Sequence, residues 1–471
     1  QLQRKKTQKY LFIQCVMPPA TPRSEALLAI LRRQRGVATS AELGDGLGLS
    51  QPTVSRALAP LIASGQVRKV GAARSQRYLL PRPVRGVGTE VTILRVSAQG
   101  VPAPFARMVP LSGGGFWVDE ADGVSERHDG LPWFLADMRP QGFMGRNFAH
   151  VHPELQLPTD PRHWSDDDAL RALALAGEDL PGNLLVGETS RQRFDTLAAR
   201  LVRAESAADY PALAQGALQG TLPGSSAGGE QPKFCCITQG RSVIVKFSSA
   251  GASPADQRTR DLLLCEHLAL KVLADADLPA ARTQVFVQEG RVFLESERFD
   301  RYSPWRAEGA APTAPATPPG RLGMVSLLVY DAQYIGEMDN WAATALRMRA
   351  HRPPLLTETD ARTLRLLEAY GRLIGNTDRH YGNISLVLDG DDWRLSPTYD
   401  MLPMLYMPIA GEVVAQELGA RGMAATEATR DLWDEARGLA LRFWRAVEGE
   451  GRISEGFREI ARGNSQPITT S

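Results

Sequence analysis

The sequence predicts an α+β protein built from at least two domains. A helix–helix–helix–hairpin pattern occupies the first part of the chain, and a longer region behind it mixes strand-like and helix-like patterns. The chain has 471 residues, of which 43% are hydrophobic and 23% are charged. This composition is ordinary for a globular protein, and the length allows about two or three domains.

Residues 23–82 have the pattern of a winged helix-turn-helix domain. The stretch "RSEALLAILRRQ" places its apolar side chains on one helical face, and Gly36 ends this helix. The stretch "TSAELGDGLGLS" predicts a second, short helix. A third helix has Ser50 as its candidate N-cap, Pro52 in its first turn and Gly65 as its stop. The stretch "QVRKVGAARSQRYLL" then predicts a hairpin, because two alternating runs flank a glycine-containing turn.

The charge of this region indicates an anionic partner. Between Thr21 and Arg82, ten cationic side chains stand against three carboxylates, a balance of +7, whereas the whole chain carries +1. A recognition helix needs short polar groups and a cation near its start, and a wing needs cations for the DNA backbone. The residues that meet these needs are Gln51, Thr53, Ser55 and Arg56 on the helix, and Arg68, Lys69, Arg74 and Arg77 on the wing. The alternative is a winged helix that serves only protein contacts or dimerisation.

The rest of the chain divides by pattern and composition. Residues 83–215 begin with strand patterns such as "EVTILRVSA" and "GGFWVDE", and residues 168–215 have helical patterns. Residues 216–305 hold a Gly-rich turn, the strand "RSVIVKFSS", a helix and a hairpin. The remaining segments are a Pro/Ala-rich loop predicted to be flexible (306–320), a mostly helical region (321–463) and a tail (464–471).

The sequence also bears on the compartment. The N-terminal extension, residues 1–22, is basic and then briefly apolar, too short and mixed for a signal peptide, and Met17 is a candidate start. No run of about 18 apolar residues occurs, so we expect no transmembrane helix and no membrane partner. The four cysteines lack metal-ligand spacing, which favours reduced thiols in a cytoplasmic protein.

Four sequence elements, in chain order, match the needs of phosphoryl transfer from a nucleotide. The first is "GSSAGGEQPKF" (224–234), a Gly-rich turn whose backbone N–H groups could wrap phosphates, although most such clusters are only turns and no Walker A pattern is present. The second is Lys246 in "VIVKF", which either extends to solvent at a sheet edge or points inward at phosphates. These two elements alone do not decide whether the turn binds phosphates or whether Lys246 points inward.

The third and fourth elements are stronger. In protein kinases a catalytic aspartate is followed five residues later by an asparagine that binds Mg²⁺. Asp378 and Asn383 in "IGNTDRHYGN" have this spacing, behind a helix that opens at Thr357 with Asp360 as a capping box. Asp400 follows after the hairpin pattern "SLVLDGDDWRLSP", which would bring the two ligands together. The structural alternative is that both aspartates cap a turn or a helix, but four elements in kinase order favour phosphoryl transfer.

The stretches "SSAGGEQPK", "VIVKFS", "ESERFDR", "IGNTDRHYGN" and "LSPTYDMLP" together resemble the HipA family of bacterial serine/threonine kinases, the toxin component of HipBA-type toxin–antitoxin modules. "GEDLPGNLLV" and "GLPWFLADMRPQG" also resemble family stretches, and the resemblance covers about residues 85–460. The leading winged helix resembles the YjjJ-type branch. The resemblance implies a two-lobed, protein-kinase-like fold with a β-rich N-terminal subdomain, in which residues 216–305 form the N-lobe and residues 321–463 the C-lobe.

The resemblance further implies ATP and Mg²⁺ as cofactors and assigns roles to the motif residues. Asp378 would be the catalytic base, Lys246 would contact the phosphates, and Asn383 and Asp400 would hold Mg²⁺. Glu266 is a candidate partner for Lys246. The implied nucleotide-binding residues are Ser226, Ala227, Gly228, Gly229, Lys233, Lys246, Glu297, Phe299, His380, Asn383 and Asp400. The implied site of self-phosphorylation is Ser226, with the adjacent Ser225 as the alternative register.

The implied partners are DNA, through residues 23–82, and a protein substrate with a serine or threonine acceptor. A separate antitoxin and a second copy of the chain stay open as partners, because family members are usually controlled by a separate DNA-binding antitoxin, whereas here a DNA-binding unit is fused. One alternative function is a transcriptional regulator whose kinase-like part senses a nucleotide or metabolite. A kinase for small molecules is another. The presence of Asp378 argues against a pure sensor, which would not need a base.

Overall fold

The computed structural model describes residues 21–72, 75–222, 229–302, 318–419 and 424–470. Its helices are α1 (Pro22–Arg33), α2 (Ser40–Asp45), α3 (Gln51–Ala63), α4 (Trp133–Ala136), α5 (Gly142–Val151), α6 (Asp166–Ala176), α7 (Gly187–Asp195), α8 (Leu197–Arg200), α9 (Tyr210–Leu218), α10 (Pro254–Ala274), α11 (Leu327–Tyr334), α12 (Trp341–Ala350), α13 (Glu358–Leu373), α14 (Trp433–Gly449) and α15 (Glu455–Thr470). Its strands are β1 (Val37–Ala38), β2 (Arg68–Val70), β3 (Arg77–Leu79), β4 (Val91–Val96), β5 (Pro102–Pro110), β6 (Phe116–Glu120), β7 (Ser125–His128), β8 (Leu184–Val186), β9 (Arg203–Ala204), β10 (Lys233–Thr238), β11 (Arg241–Phe247), β12 (Thr283–Gln288), β13 (Arg291–Glu297), β14 (Arg301–Tyr302), β15 (Gly320–Arg321), β16 (Met324–Ser326), β17 (Ser385–Asp389) and β18 (Asp392–Leu395).

The chain forms two compact units. The first contains the residues up to Val84 together with residues 88–90 and 107–130, and the second contains the rest. In the first unit α1, α2 and α3 surround a core that includes Leu27, Leu31, Leu43, Val54 and Leu58. Strands β1, β3 and β2 form a small antiparallel sheet in that order. The predicted winged helix-turn-helix is therefore confirmed.

The ends of these helices follow the predicted signals. The third helix begins after Ser50, carries Pro52 in its first turn and is followed by Gly65 at φ 73°. The first helix is followed by Gly36 at φ 84°, a conformation that glycine adopts without a steric penalty. The compact unit also includes the β6–β7 hairpin, because Trp117 and Leu111 pack in one cluster with Leu79 of the wing.

In the second unit, residues 203–297 build a five-stranded sheet in the order β12-β13-β11-β10-β9. One face carries an aromatic cluster that includes Tyr210, Phe234 and Phe293. The long helix α10 packs against β12 and β13. Its N-terminus is closed by a capping box between Ser253 and Asp256, and it buries an apolar stripe that extends into the main core. This sheet and its helix form the smaller lobe.

Helices α11 to α15 and the β16-β17-β18 sheet form the larger lobe. Its core contains the fully buried rings of Trp341, Tyr370, Phe443, Trp444 and Phe457. The apolar face predicted for the helix after Thr357 is confirmed. Its members Leu364, Leu367, Tyr370, Leu373 and Ile374 are all buried. A mainly β-sheet lobe followed by a mainly helical lobe is the arrangement of a protein-kinase-like fold, and the predicted fold class is confirmed.

The region from residue 168 to 215 is less helical than its pattern predicts. Helix α6 ends at Ala176, and after Gly182 at φ 78° the chain enters β8, which pairs antiparallel with β4. Residues 184–186 are all apolar and buried, so this short run fits a covered strand as well as a helix, and only pairing with β4 decides between them. Among the described helices, none is long and apolar enough to cross a membrane.

Candidate active site

The loop after α13 is held by hydrogen bonds within the "IGNTDRHYGN" motif. The backbone N–H of Asp378 donates to Oδ1 of Asn376 at 2.9 Å. The side-chain amide of Asn383 donates to the backbone oxygen of Asp378 at 2.8 Å and to its Oδ2 at 3.3 Å. The two residues singled out by their spacing are therefore in direct contact. The Asp378 side chain remains 48% exposed, so its carboxylate is accessible from solvent.

Surrounding elements fix this loop in place. The indole N–H of Trp341 donates to the backbone oxygen of His380 at 3.2 Å, and the hydroxyl of Tyr381 accepts from the N–H of Asp339 at 2.6 Å. Arg379 pairs with the buried Glu368 of α13 at 3.2 Å. These contacts fix the loop that carries Asp378 against the helices of the larger lobe.

On the opposite lobe, Lys246 of β11 makes a double ion pair. Its ammonium group lies 2.7 Å and 3.0 Å from the two carboxylate oxygens of Glu266 on α10. The same ammonium group contacts Oδ1 of Asp400. The Lys246 side chain is 13% exposed, so of the two orientations that its sequence context left open the structure has the inward one. A strand lysine paired with a helix glutamate is the arrangement that active protein kinases require.

Tyr399 joins the Asp400 segment to the Asn383 loop. Its hydroxyl donates to the backbone oxygen of Gly382 at 3.1 Å and shares a hydrogen bond with Ser385 at 2.7 Å. Asp400 itself has φ 52°, a left-handed conformation that is uncommon outside glycine. Burial raises the pKa of Tyr399, which keeps its hydroxyl a proton donor. The structure thus brings Asp378, Asn383, Asp400 and Lys246 into one region between the lobes.

The donor set at this region suits Mg²⁺. Mg²⁺ is usually held by one or two protein oxygens together with phosphate oxygens and water. Because the Asn383 amide nitrogen bonds Asp378, its amide oxygen is oriented away from that residue, and Asp400 supplies a carboxylate. Across the described ranges no cluster of three or more His, Cys, Asp or Glu side chains could hold a metal alone. Asn383 and Asp400 therefore offer oxygen atoms of the kind that Mg²⁺ prefers.

Lys233 stands beside Lys246 on the sheet. The two lysines are directly paired in the antiparallel register of β10 and β11, so both side chains lie on the same face. Lys233 is buried, and a Cβ atom on Gly229 would lie 3.2 Å from its Nζ. Burial first, and then the charge of Lys246, lowers the pKa of Lys233 to about 7. Two adjacent lysines at the end of a glycine-containing loop favour an anionic ligand.

Some of the other predicted nucleotide-binding residues lie within the described structure, and others lie outside it. Phe299 stacks on Tyr399 with ring centroids 5.8 Å apart, and Glu297 is the last residue of strand β13. His380 caps the short 3₁₀-helix Tyr381–Asn383 by accepting from the N–H of Gly382 at 3.0 Å, and its Nε2 lies 3.7 Å from Asp378. The predicted residues Ser225, Ser226, Ala227 and Gly228 lie outside the described residues.

Sequence reasoning missed two supporting residues, Asn376 and Tyr399. Both lie inside the quoted motifs, adjacent to or near the residues that were selected, but their roles depend on hydrogen bonds made within the folded loop. Glu266 was only a candidate from spacing, and its distance to Lys246 identifies it as the partner. Fixed spacing along one helix or loop can be read from a sequence, whereas a contact between β11 and α10 cannot.

On the winged helix the predicted DNA-facing residues divide into two sets. Gln51, Ser55, Arg56 and Lys69 are exposed. Arg68 forms an ion pair with Glu90 of the same unit, and Arg77 donates to the backbone oxygen of Gln76 at 3.1 Å. The hydroxyl of Thr53 lies 3.0 Å from that of Ser50. Arg74 lies outside the described residues.

Three regions of the chain match known domain families. Residues 23–71 match the IclR helix-turn-helix domain, residues 87–195 match the middle domain of YjjJ-like toxins, and residues 225–462 match the HipA-like C-terminal domain. The chain is 36% identical over 443 residues to Toxin YjjJ of Escherichia coli strain K12, covering 91% of this chain and 94% of that protein.

Two solved structures are also similar. One is HipA of Shewanella oneidensis MR-1 in a complex with HipB and operator DNA, with 14% identity, a TM-score of 0.48 and coverage of 80% of this chain and 95% of that one. The other is the Helicobacter pylori proinflammatory kinase CtkA, with 13% identity, a TM-score of 0.34 and coverage of 52% and 89%. The domain matches and the relative that spans nearly the whole chain decide the assignment: this chain belongs to the HipA family, in its YjjJ-like branch, with a helix-turn-helix domain at its N-terminus.

Proposed function

We propose that the chain is an ATP- and Mg²⁺-dependent serine/threonine protein kinase of the HipA toxin type, with a fused DNA-binding domain. The observation that carries this proposal is the contact of Lys246 with both Glu266 and Asp400, across from the paired Asp378 and Asn383. A protein that only sensed a nucleotide would need the lysine and the metal ligands. It would not need an exposed aspartate held by five-residue spacing next to them.

The geometry supports the following assignment of roles, and the family resemblance supplies the adenine contact. Lys246, oriented by Glu266, would bind the phosphates, and Asn383 with Asp400 would hold Mg²⁺, which neutralises the charge on the transferring phosphoryl group. Asp378 would accept the proton of a serine or threonine hydroxyl as that oxygen bonds to the terminal phosphorus. The bond from this phosphorus to the bridging oxygen breaks, and ADP leaves. Glu297 and Phe299 would contact the adenine.

The proposal includes self-phosphorylation on Ser226 or Ser225 and regulation through DNA. A phosphate on either serine adds roughly −1.5 to −2 charge at neutral pH. In a loop that cradles ATP phosphates this charge would repel the nucleotide. Exposed Gln51, Ser55, Arg56 and Lys69 would contact DNA, so the protein could bind its own operator. A separate antitoxin is a candidate partner because the relative Toxin YjjJ is named a toxin.

Incubation with labelled ATP and Mg²⁺, followed by mass spectrometry of the chain, tests the proposal. Wild-type protein should incorporate phosphate, and Asp378→Asn, which is nearly isosteric, should not. Asp392→Asn is the matched control, because this exposed residue lies in the hairpin between the two metal ligands and makes no part of the site. ATP binding without any phosphate transfer by the wild type would favour a nucleotide-sensing regulator instead.

A further inference from the structure

The segment that leaves β13, residues 297–301, alternates its side chains between two environments. Glu297 and Phe299 are half-buried, and Phe299 stacks on Tyr399 of the active-site region. Arg298 and Asp300 are buried, and Asp300 lies with Phe299 in a turn that follows the strand. The position of Glu297 and Phe299, which meet the adenine under the proposed function, therefore depends on what holds their neighbours Arg298 and Asp300.

The middle domain contacts Arg298, Asp300 and Arg301 through the loop between α6 and β8. Asp179 lies 3.1 Å from Nη2 of Arg301 and 3.6 Å from Nη1 of Arg298. The N–H of Gly182 donates to Oδ2 of Asp300 at 3.1 Å. Arg301 also donates to the backbone oxygens of Leu180 at 2.8 Å and Gly182 at 3.1 Å. One seven-residue loop thus contacts the segment through side chains and backbone alike.

Charges inside this network depend on one another. Asp300 lies 2.9 Å from Nη2 of Arg298 and 2.6 Å from Nη1 of Arg301. Burial opposes ionisation of Asp300, but the two guanidinium groups hold its pKa well below the usual range. Burial likewise opposes the charge of Arg298, and Asp300 and then Asp179 raise its pKa in compensation. Arg321 is a third buried cation that interacts with these residues, so removal of the Asp179 charge would leave three buried cations against Asp300.

The network of ion pairs borders a cavity. Asp179 and Arg298 line a cavity of about 220 Å³ together with Cys235 and Ser242 of the sheet. The polar contacts between the loop and the segment are the ion pairs of Asp179 and the backbone hydrogen bonds of Leu180 and Gly182. Asp179 supplies the charged side chain among them.

We propose that Asp179 is a positioning residue through which the middle domain holds the adenine-contacting segment and so sets nucleotide affinity. The inference rests on the proposed function, in which Glu297 and Phe299 meet the base. The stacking of Phe299 on Tyr399 extends the effect to the residue next to Asp400. Asp179 should affect mainly the binding of the adenine base, because Lys246, which binds the phosphates under the proposed function, is held separately by Glu266.

Titration calorimetry on the full chain can separate base binding from phosphate binding. The probes are ATP, adenosine and inorganic tripolyphosphate, each with wild type, Asp179→Ala and Asp179→Asn. We expect Asp179→Ala to weaken adenosine and ATP binding by about tenfold, equivalent to one lost ion-pair contribution, and to change tripolyphosphate binding less than about twofold. In turnover assays KM for ATP should rise by a similar factor while kcat changes little.

The controls make each outcome decisive. Asp195→Ala removes an exposed ion pair with Arg191 in the same domain and should change none of these values. If Asp179→Ala does not fold, Asp179→Asn carries the test, because the amide keeps the volume and an acceptor for Arg301. Unchanged adenosine affinity, or an equal loss for adenosine and tripolyphosphate, would overturn the positioning role alone. No binding of ATP by the wild type would overturn the proposed function together with it.

Discussion

Lys246 and Asp400 are 154 positions apart in the chain, yet the ammonium group of one contacts the carboxylate of the other. The contact spans the two lobes, since Lys246 lies on the sheet and Asp400 follows the β17–β18 hairpin. Glu266 pairs with the same ammonium group. This three-residue arrangement is the structural basis of the predictions that follow.

Lys246→Met should reduce phosphate incorporation by about 10²–10³-fold, because one preorganised cation near the transferring phosphate is lost. Glu266→Gln should have a smaller effect, since Lys246 keeps its charge and its contact with Asp400. Initial rates with labelled ATP measure both. Equal rates for wild type and Lys246→Met would contradict the assigned role.

Asn383→Ala should raise the Mg²⁺ concentration needed for half-maximal activity. The substitution removes an amide oxygen suited to the ion and also the hydrogen bonds that hold Asp378. A titration of activity against Mg²⁺ at saturating ATP measures the shift. Asn464→Ala, in which an amide far along the chain loses its bond to Tyr406, serves as the control and should leave the Mg²⁺ requirement unchanged.

Nucleotide affinity should depend on pH through Lys233. Because its pKa is lowered to about 7, the side chain is largely neutral above that pH, while anionic phosphates favour its charged form. ATP affinity should therefore fall by up to about tenfold per pH unit as pH rises above about 7. Lys233→Arg keeps its charge over this pH range, so its ATP affinity should depend less on pH than that of the wild type. The same dependence of ATP affinity on pH in both proteins would contradict the role of Lys233.

The same shift affects stability, with the opposite sign. The pKa of Lys233 is lower in the folded protein than in the unfolded chain, so above about pH 7 the unfolded chain binds more protons. The contribution of this residue to the free energy of unfolding should rise with pH between about 7 and 10. Denaturant melts at several pH values in this range give the free energy of unfolding for wild type and for Lys233→Met. A plot of this free energy against pH should rise more steeply for wild type than for Lys233→Met, and two parallel plots would argue against the lowered pKa.

Two neighbouring cations on the wing should differ in their effect on DNA binding. Lys69 is exposed, whereas Arg68 is paired with Glu90. Lys69→Ala should lower the slope of log affinity against log salt by about 1, and Arg68→Ala should lower it by less. Fluorescence anisotropy with a duplex at several salt concentrations gives both slopes. The reverse order would show that Arg68 exchanges Glu90 for phosphate.

Phosphorylation of the Gly-rich loop should weaken ATP binding. The chain phosphorylated on Ser226 or Ser225 would carry roughly −1.5 to −2 extra charge where ATP phosphates are expected. Calorimetry on modified and unmodified protein gives the two affinities, and Ser225→Ala and Ser226→Ala show which serine accounts for the change. Equal affinities would remove the regulatory role of this modification.

The local features of the protein were determined by the sequence itself. The helix that runs from Thr357 to the Asp378 loop, the five-residue spacing to Asn383 and the winged-helix pattern of residues 23–82 all follow from periodicity, capping and turn residues. These features depend on neighbours within a few positions along the chain, so a single sequence contains the information that forms them.

Only the tertiary structure decided which distant groups meet. Residues 184–186 form a strand because they pair with β4. Glu266 pairs with Lys246, and Asp179 pairs with Arg301. Each of these contacts joins segments whose separation in sequence is unrelated to their distance in space, and burial fixes which ion pairs form because an unpaired charge is costly away from water. For that reason the sequence could identify the residue types of the site, whereas packing alone decided their partners.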